Sequence, residues 1–497
     1  MLTHYRSEFA DFNIKLTREL YLFNSGQKER YEVADIYDRY SDLFNREAIE
    51  ELRRELQNVP EYFESERRAI KHLITFAIEN FIESKINHLT EEILEHEAKS
   101  SIAWDGESVE FHRSAALLAN EPDKIRRRRL YDLRAKIINE TDDLRGERLA
   151  KMHELASELG FDGYTAMCRD IYNVDYERLA EQVKPLLAKT EDLYVEQLSR
   201  NLPADAHVSL EEAERADMPY FLRSVRFDRM FPESRLILVY RETMHGLGIK
   251  TYKQTNIEID DEARPRKNPR AFCAPIVIPD EVKLVINPIG GQDDYQALLH
   301  EAGHAQHFGW TAPDLKPDYK YAGDRALSEM YAFLFQYLLS DHLWLREMLG
   351  FDRTDDFIRT LLLHKLLILR RYVAKLNYEV KLHSGAIYSE AGQLYADLLT
   401  EATRFRHGSD QYLSDIDDGF YSGDYLRAWI LEVQLRDWLK TKYGRSWWRS
   451  RKAGDLLIQI WQTGNRYTAD EIASQAGFGP LSLDSIIEEF GEGLKSQ

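Results

Sequence analysis

His300-Glu301-Ala302-Gly303-His304 spells HExxH, the spacing that lets one helix offer two nitrogens to one metal ion. Positions i and i+4 lie one above the other on the same face of a helix. His300 and His304 can therefore aim two imidazoles at a single ion. Glu301 sits next to the first of them, within reach of a water beside the metal. Two neutral nitrogens, a base and an open coordination position are what zinc hydrolysis requires. A surface helix that happens to carry two histidines is the competing reading, so a third ligand must be found. Glu329 lies downstream in Ala326-Leu327-Ser328-Glu329-Met330-Tyr331-Ala332-Phe333-Leu334-Phe335, an apolar amphipathic run. A carboxylate in such a run is costly unless it is paired or bound to a metal. The expected centre is one Zn2+ per chain on His300, His304 and Glu329, with Asp324 the next carboxylate to test.

The elements that must carry these residues follow from the surrounding pattern. Asp293 and Asp294 suit the N-cap and first turn of the motif helix, and Gly309 suits its end. Just upstream, 271–278 and 282–287 read as two β-rich strands around a turn at 279–281. A strand ending shortly before the motif helix can lie along a cleft and pair with an extended peptide through its backbone. Pro275 fits an edge or a bulge in that strand.

HEAGHAQH followed by SEMYAFLFQYLL resembles the thimet oligopeptidase and oligoendopeptidase F family of zinc metallopeptidases, gluzincins whose third ligand is a glutamate on a second helix. Leu155 to Tyr164, Asp217 to Phe221 and Phe231-Pro232 are similar to that family as well, and there is a more distant similarity to angiotensin-converting enzyme. The resemblance covers 140 to 440 approximately. It implies His300, His304 and Glu329 as ligands, Glu301 as catalytic base, His307 as support for the ligands, and an edge strand at the cleft. In that family a glycine- and tyrosine-rich loop supplies hydroxyls to the oxyanion. The matching stretch here is Asp415 to Trp429, expected to be a loop leading into a helix over 429–440. Tyr421 and Tyr425 are its candidates. Arg427 stands where the thimet branch has a tyrosine, and a family histidine has no firm counterpart because His407 is displaced.

The chain of 497 residues has 43% hydrophobic and 30% charged residues, enough to bury a large core and stay soluble. A formal net charge of −19 disfavours nucleic acid and anionic membrane as partners. Cys168 and Cys273 read as free thiols in a reducing compartment, and the first residues lack the apolar core of a signal peptide. The most apolar run, Leu361 to Leu369, is too short and too charged to span a bilayer. A cytoplasmic location is expected, and the sequence carries no signal for an oligomeric state. Ile70, Leu73, Ile74, Ala77, Ile78, Phe81 and Ile82 recur at helical spacing, while Arg126 to Arg129 reads as a solvated helix face.

The expected fold is mainly α, of the neurolysin-like zincin type. Two helical lobes, 1–200 and a catalytic lobe 201–497, flank a deep cleft with a small β-hairpin at its edge. The expected function is zinc-dependent hydrolysis of peptide bonds in short peptides. Two alternatives are a metallocarboxypeptidase of the same fold, with Arg427 or Arg436 receiving the terminal carboxylate, and a catalytically silent zinc-binding helical protein.

Overall fold

Long amphipathic helices dominate the computed structural model, which describes residues 2–385 and 388–495. In chain order the helices that concern the site and its supports are α1 (Leu2–Asn24), α2 (Glu64–Lys99), α3 (Lys124–Asn139), α4 (Pro185–Asp205), α5 (Gln292–Trp310), α6 (Arg325–Gln336), α7 (Asp355–His383), α8 (Tyr388–Thr403), α9 (Tyr421–Tyr443), α10 (Arg451–Trp461) and α11 (Ala469–Ala476). The strands are β1 (Ser101–Trp104), β2 (Glu107–Glu110), β3 (Ile257–Asp260), β4 (Phe272–Val277) and β5 (Glu281–Val285). Among the described residues no helix is long and apolar enough to cross a membrane.

The chain folds into two compact units whose segments alternate along the sequence. The first comprises Met1–Phe81, Phe227–Ile358 and Arg427–Ile486; the second comprises Ile82–Arg226, Arg359–Leu426 and Ile487–Gln497. This differs from a division at 200, a position inside the continuous helix α4. The divide instead crosses the chain five times, within α2, α7, α9 and the helix Asp484–Gly493, and once in the short 3-10 turn Val225–Met230.

In the first unit the sheet has three strands in the order β3-β5-β4. β3 runs parallel to β5 and β4 antiparallel, which leaves β4 at an edge. The β4–β5 register is interrupted between Pro275 and Val277, as a proline without an N–H requires of its neighbourhood. Tyr21 of α1 packs on Ala274, Ile276 and Val285, closing one face of the sheet. Gly309 does not end the motif helix, which continues to Trp310. A Cβ there would stand 2.5 Å from Ile257 Cδ1, so this glycine serves the packing of α5 on β3.

In the second unit Tyr378 and Leu382 of α7 pack on Tyr395 and Leu399 of α8 in one apolar cluster. The basic run on α3 is a solvated face only in part, with Arg129 exposed and Arg127 turned inward. Arg127 is fully buried and reaches Asp217 at 2.9 Å and the carbonyl of Ala206 at 2.7 Å. Arg126 and Arg128 pair with Asp105 and Glu214. Removing one partner of a buried pair such as Arg127–Asp217 costs about 3–5 kcal/mol, because the other charge is stranded. Four successive arginines cannot all face water on one helix, and the α3 sequence alone does not show where Asp217 will lie.

Candidate metal centre

α5 presents the motif. Gly291, with φ 99°, stands at its N-cap, and Asp293 and Asp294 occupy the first turn. Asp294 Oδ2 accepts from the N–H groups of Ile289 and Gly290, both at 2.7 Å, fixing the entry of the chain. α6 carries Glu329 and is buried almost along its whole length. Its N-cap is Asp324, whose Oδ1 accepts from Ala326 N at 3.1 Å.

The two helices meet at Gly303. A Cβ at that position would lie 2.5 Å from both Ala332 Cα and Tyr331 O, and 2.8 Å from Ala332 N. Only a glycine lets the backbones come this close. This approach brings Glu329 over the histidines. Its Oε2 is 3.3 Å from His300 Nε2 and 3.8 Å from His304 Nε2. One ligand atom from each of the three residues lies within 4.8 Å of the others.

Whether these residues fit a metal is decided at the far side of each imidazole. His300 Nδ1 lies 2.9 Å from Gln336 Oε1, and His304 Nδ1 lies 2.6 Å from Ser328 Oγ. An amide oxygen only accepts, so His300 carries a proton on Nδ1, and Nε2 is the nitrogen that faces Glu329 and is left for an ion. The serine hydroxyl can accept in the same way from His304. Outer partners of this kind orient metal-binding imidazoles. The donor set of two imidazole nitrogens and one carboxylate suits zinc. Ser328 and Gln336 do not stand out in the sequence as site residues. Ser328 adjoins Glu329, and Gln336 stands seven residues beyond it on the same helix face, a spacing visible in the run itself.

The electrostatics agree with a cation at this point. Burial lowers the proton affinity of His300, but the hydrogen bond and charge of Glu329 outweigh it and raise its pKa. Burial pushes His304 down to about 4. Glu329 therefore draws a positive charge toward Nε2 of one imidazole, a demand that a metal cation meets. Burial lifts the Glu301 carboxyl to about 7, opposed by His300 and by a backbone hydrogen bond from Cys273. Burial and the charge of Glu301 push the Cys273 thiol up. β4 thus lies against the motif helix at Glu301. A cavity of about 460 Å³ opens there, lined by His300, Glu301, Gln336 and Arg270 among others.

His307 does not support the ligands. It is fully buried, its Nε2 faces the carbonyl of Gly464 at 3.3 Å, and its ring packs on Tyr331 at 5.0 Å. It ties α5 to the turn after α10. Asp324 is also no reserve ligand, since Arg427 grips it at 2.9 and 2.8 Å and Ala469 N donates to it at 2.8 Å. Arg427 pairs with Asp470 as well. Arg436 pairs with Glu432 at 2.6 Å, with both side chains buried. Both arginines considered for a terminal carboxylate are thus engaged inside the first unit.

Tyr421 and Tyr425 belong to the second unit. They stand in the first turns of α9 instead of in a preceding loop, with ring centroids 4.7 Å apart. The helix starts earlier than the pattern indicated because its first turn is anchored by tertiary partners. Buried Glu379 accepts from Asp417 N at 2.8 Å and from Ser422 Oγ, and Tyr176 OH donates to Asp424 at 3.2 Å. His407 lies in the second unit too, within a different cavity.

Solved structures resemble the whole chain. A Bacillus anthracis str. Ames structure named as an oligoendopeptidase F aligns over 98% of this chain and 89% of its own, at 15% identity and a TM-score of 0.67. PZ peptidase A aligns over 98% and 90%, at 15% identity and 0.71. Trypanosoma cruzi metallocarboxypeptidase 1 aligns over 99% and 100%, at 14% identity and 0.61. The chain has the fold of these peptidases. No protein-family model and no curated protein sequence matches it.

Proposed function

We propose that this chain is a zinc-dependent metallopeptidase that hydrolyses short peptides in the manner of an oligoendopeptidase. One observation carries the reading: His300, His304 and Glu329 converge, and each imidazole is held from behind by Gln336 or Ser328. The fold shared with oligoendopeptidase F and metallocarboxypeptidase structures supports it. The two free cysteines are in keeping with work in the cytoplasm.

Zinc bound to this trio would supply Lewis-acid activation of a water and of the scissile carbonyl. The Glu301 carboxylate takes the water's proton and returns it to the leaving amine nitrogen. Burial raises its affinity for a proton, the direction that suits a base which must hold the proton and then give it back. The cavity at His300 and Glu301 receives the residues beside the scissile bond, and edge strand β4 pairs with the peptide backbone. Tyr421 and Tyr425 are the candidates for the hydroxyl that meets the developing oxyanion, the role the family resemblance implies for them.

The metallocarboxypeptidase likeness favours a second reading, release of residues from the C-terminus. The engagement of Arg427 and Arg436 in internal ion pairs counts against it. The test is elemental analysis of the purified chain together with product mapping on internally quenched peptides of increasing length. About one zinc per chain, activity lost to a chelator and restored by zinc, and cuts at internal bonds of short peptides are expected. Full turnover by metal-free protein would refute the zinc reading, and products released only from the C-terminus would establish the carboxypeptidase.

A further inference from the structure

The chain enters α9 through a strained turn in the second unit. Gly419 and Phe420 both take left-handed backbone, with φ 63° and 57°. That region suits glycine, and a bulky residue is an outlier there. Phe420 is nonetheless fully buried. Its ring stacks on Tyr176 with centroids 4.9 Å apart and stands 5.1 Å from His383. Tyr164 OH accepts from Gly419 N at 2.9 Å. Such a conformation persists only where its surroundings over-determine it, and it clusters at functional sites.

One side chain spans this turn. Glu379 of α7 is fully buried, and its two oxygens reach both ends. Oε1 accepts from Asp417 N at 2.8 Å, ahead of the left-handed pair, and Oε2 accepts from Ser422 Oγ, behind it. Lys375, one turn earlier on α7, balances the buried charge, with Nζ 4.0 Å from Glu379 and 2.9 Å from Asp417. Taking both charges out of water is expensive. An apolar side chain at 379 could fill the space, but it could not hold the backbone ahead of the turn or the hydroxyl behind it.

What the turn delivers is one face of α9. From Tyr421 to Leu426 only Tyr421 and Tyr425 are partly exposed. Positions four apart share a helix face, and the two rings meet edge to face at 4.7 Å. Ser422 follows Tyr421 directly, so the bond from Ser422 to Glu379 fixes the rotation of this first turn and the direction of both rings.

We propose that Glu379 is a positioning residue for peptide hydrolysis, one that aims Tyr421 and Tyr425 by setting the rotation of the first turn of α9. It acts through the tyrosines and touches no reacting atom. The inference rests on the reading of this chain as a peptidase whose oxyanion meets one of those hydroxyls.

The test is a double-mutant cycle in kcat and KM on the zinc-loaded full chain, with a quenched short peptide as probe. Glu379→Leu should lower kcat by about a hundredfold at similar KM, the scale of a displacement on the order of 1 Å at a catalytic group. Glu379→Gln keeps an acceptor for Asp417 N and a donor for Ser422 Oγ, and it should retain most of the activity. In whichever of Tyr421→Phe and Tyr425→Phe is itself impaired, Glu379→Leu should cost no more than about twofold further, because groups that act as a unit are not additive. Ser422→Ala removes half of the staple at little change in volume and serves if the leucine variant unfolds. It should lower kcat several-fold at similar KM and be silent in the same tyrosine background. Losses that multiply in the double variant would make Glu379 a structural support and overturn the inference, with the tyrosine assignment intact. So would a rise in KM at unchanged kcat. If both tyrosine variants are silent, the oxyanion reading fails and the positioning role falls with it. Cleavage of no peptide by the unaltered protein would remove the peptidase reading and this role together.

Discussion

Gly303→Ala tests whether the metal centre depends on how closely α5 and α6 approach. The added Cβ would lie 2.5 Å from Ala332 Cα and Tyr331 O, both backbone atoms that cannot swing aside. Carbon atoms that touch prefer about 3.5 Å, so the helices must part by about 1 Å. Zinc sites tolerate shifts in ligand position of about 0.2 Å. A parting of about 1 Å lifts Glu329 away from His300 and His304, since all three ride on the two helices. Zinc affinity should fall by at least about tenfold, the lower end of the loss seen when a supporting contact is removed. Overpacking alone should also lower stability by about 1–3 kcal/mol. The two effects separate experimentally. Competition with a calibrated chelator reads affinity, and melting with and without chelator reads the packing loss. If Gly303→Ala binds zinc as tightly as the unaltered protein, close helix approach does not set the site. The second inner position of HExxH would then be free to carry a side chain.

Glu301→Gln should keep its zinc yet turn over at least about a hundredfold more slowly, and near-normal kcat would remove Glu301 from the chemistry. Gln336→Leu and Ser328→Ala should each weaken zinc binding by about 10- to 100-fold in a chelator competition, whereas His307→Phe should change it little. Tyr421→Phe or Tyr425→Phe should lower kcat by about a hundredfold at similar KM if that hydroxyl meets the oxyanion; two silent variants would make the pair structural. Arg427→Gln should melt at lower temperature, because Asp324 and Asp470 lose their counter-charge, without changing which bond of a peptide is cut; a switch in cleavage position would restore Arg427 to substrate binding.

Helical character was legible in the sequence because it is local, and so was the candidate trio whose side chains the structure brings together. Periodicity placed Ile70, Leu73, Ile74, Ala77 and Ile78 inside, and they are buried. HExxH needs only one helix, and Glu329 stood out as a lone acid among apolar neighbours. The hairpin before the motif was legible from β-branched runs, but β3 was not. It is a four-residue strand that pairs parallel to β5, a partner set by the tertiary fold. Tertiary pairing also explains the other misreadings. Arg127 looks solvated until Asp217 is found beside it, and Asp324 looks available until Arg427 reaches it. Four of the five breaks between the units fall inside α-helices, where the helical pattern runs on without interruption.

The partners behind the imidazoles have a consequence for the life of the protein. Gln336 and Ser328 fix the rings by hydrogen bonds that need no ion, and Gly303 fixes the helices by packing. The order of the ligands is therefore settled when the chain folds, not when the ion arrives. In small zinc domains the two events are one, and chelation is denaturation. If the trio holds zinc as proposed, a chain stripped of its ion is expected to stay folded and merely idle. Scarcity would leave a dormant reserve with its ligands in place, and returning supply would rouse it with no refolding in between.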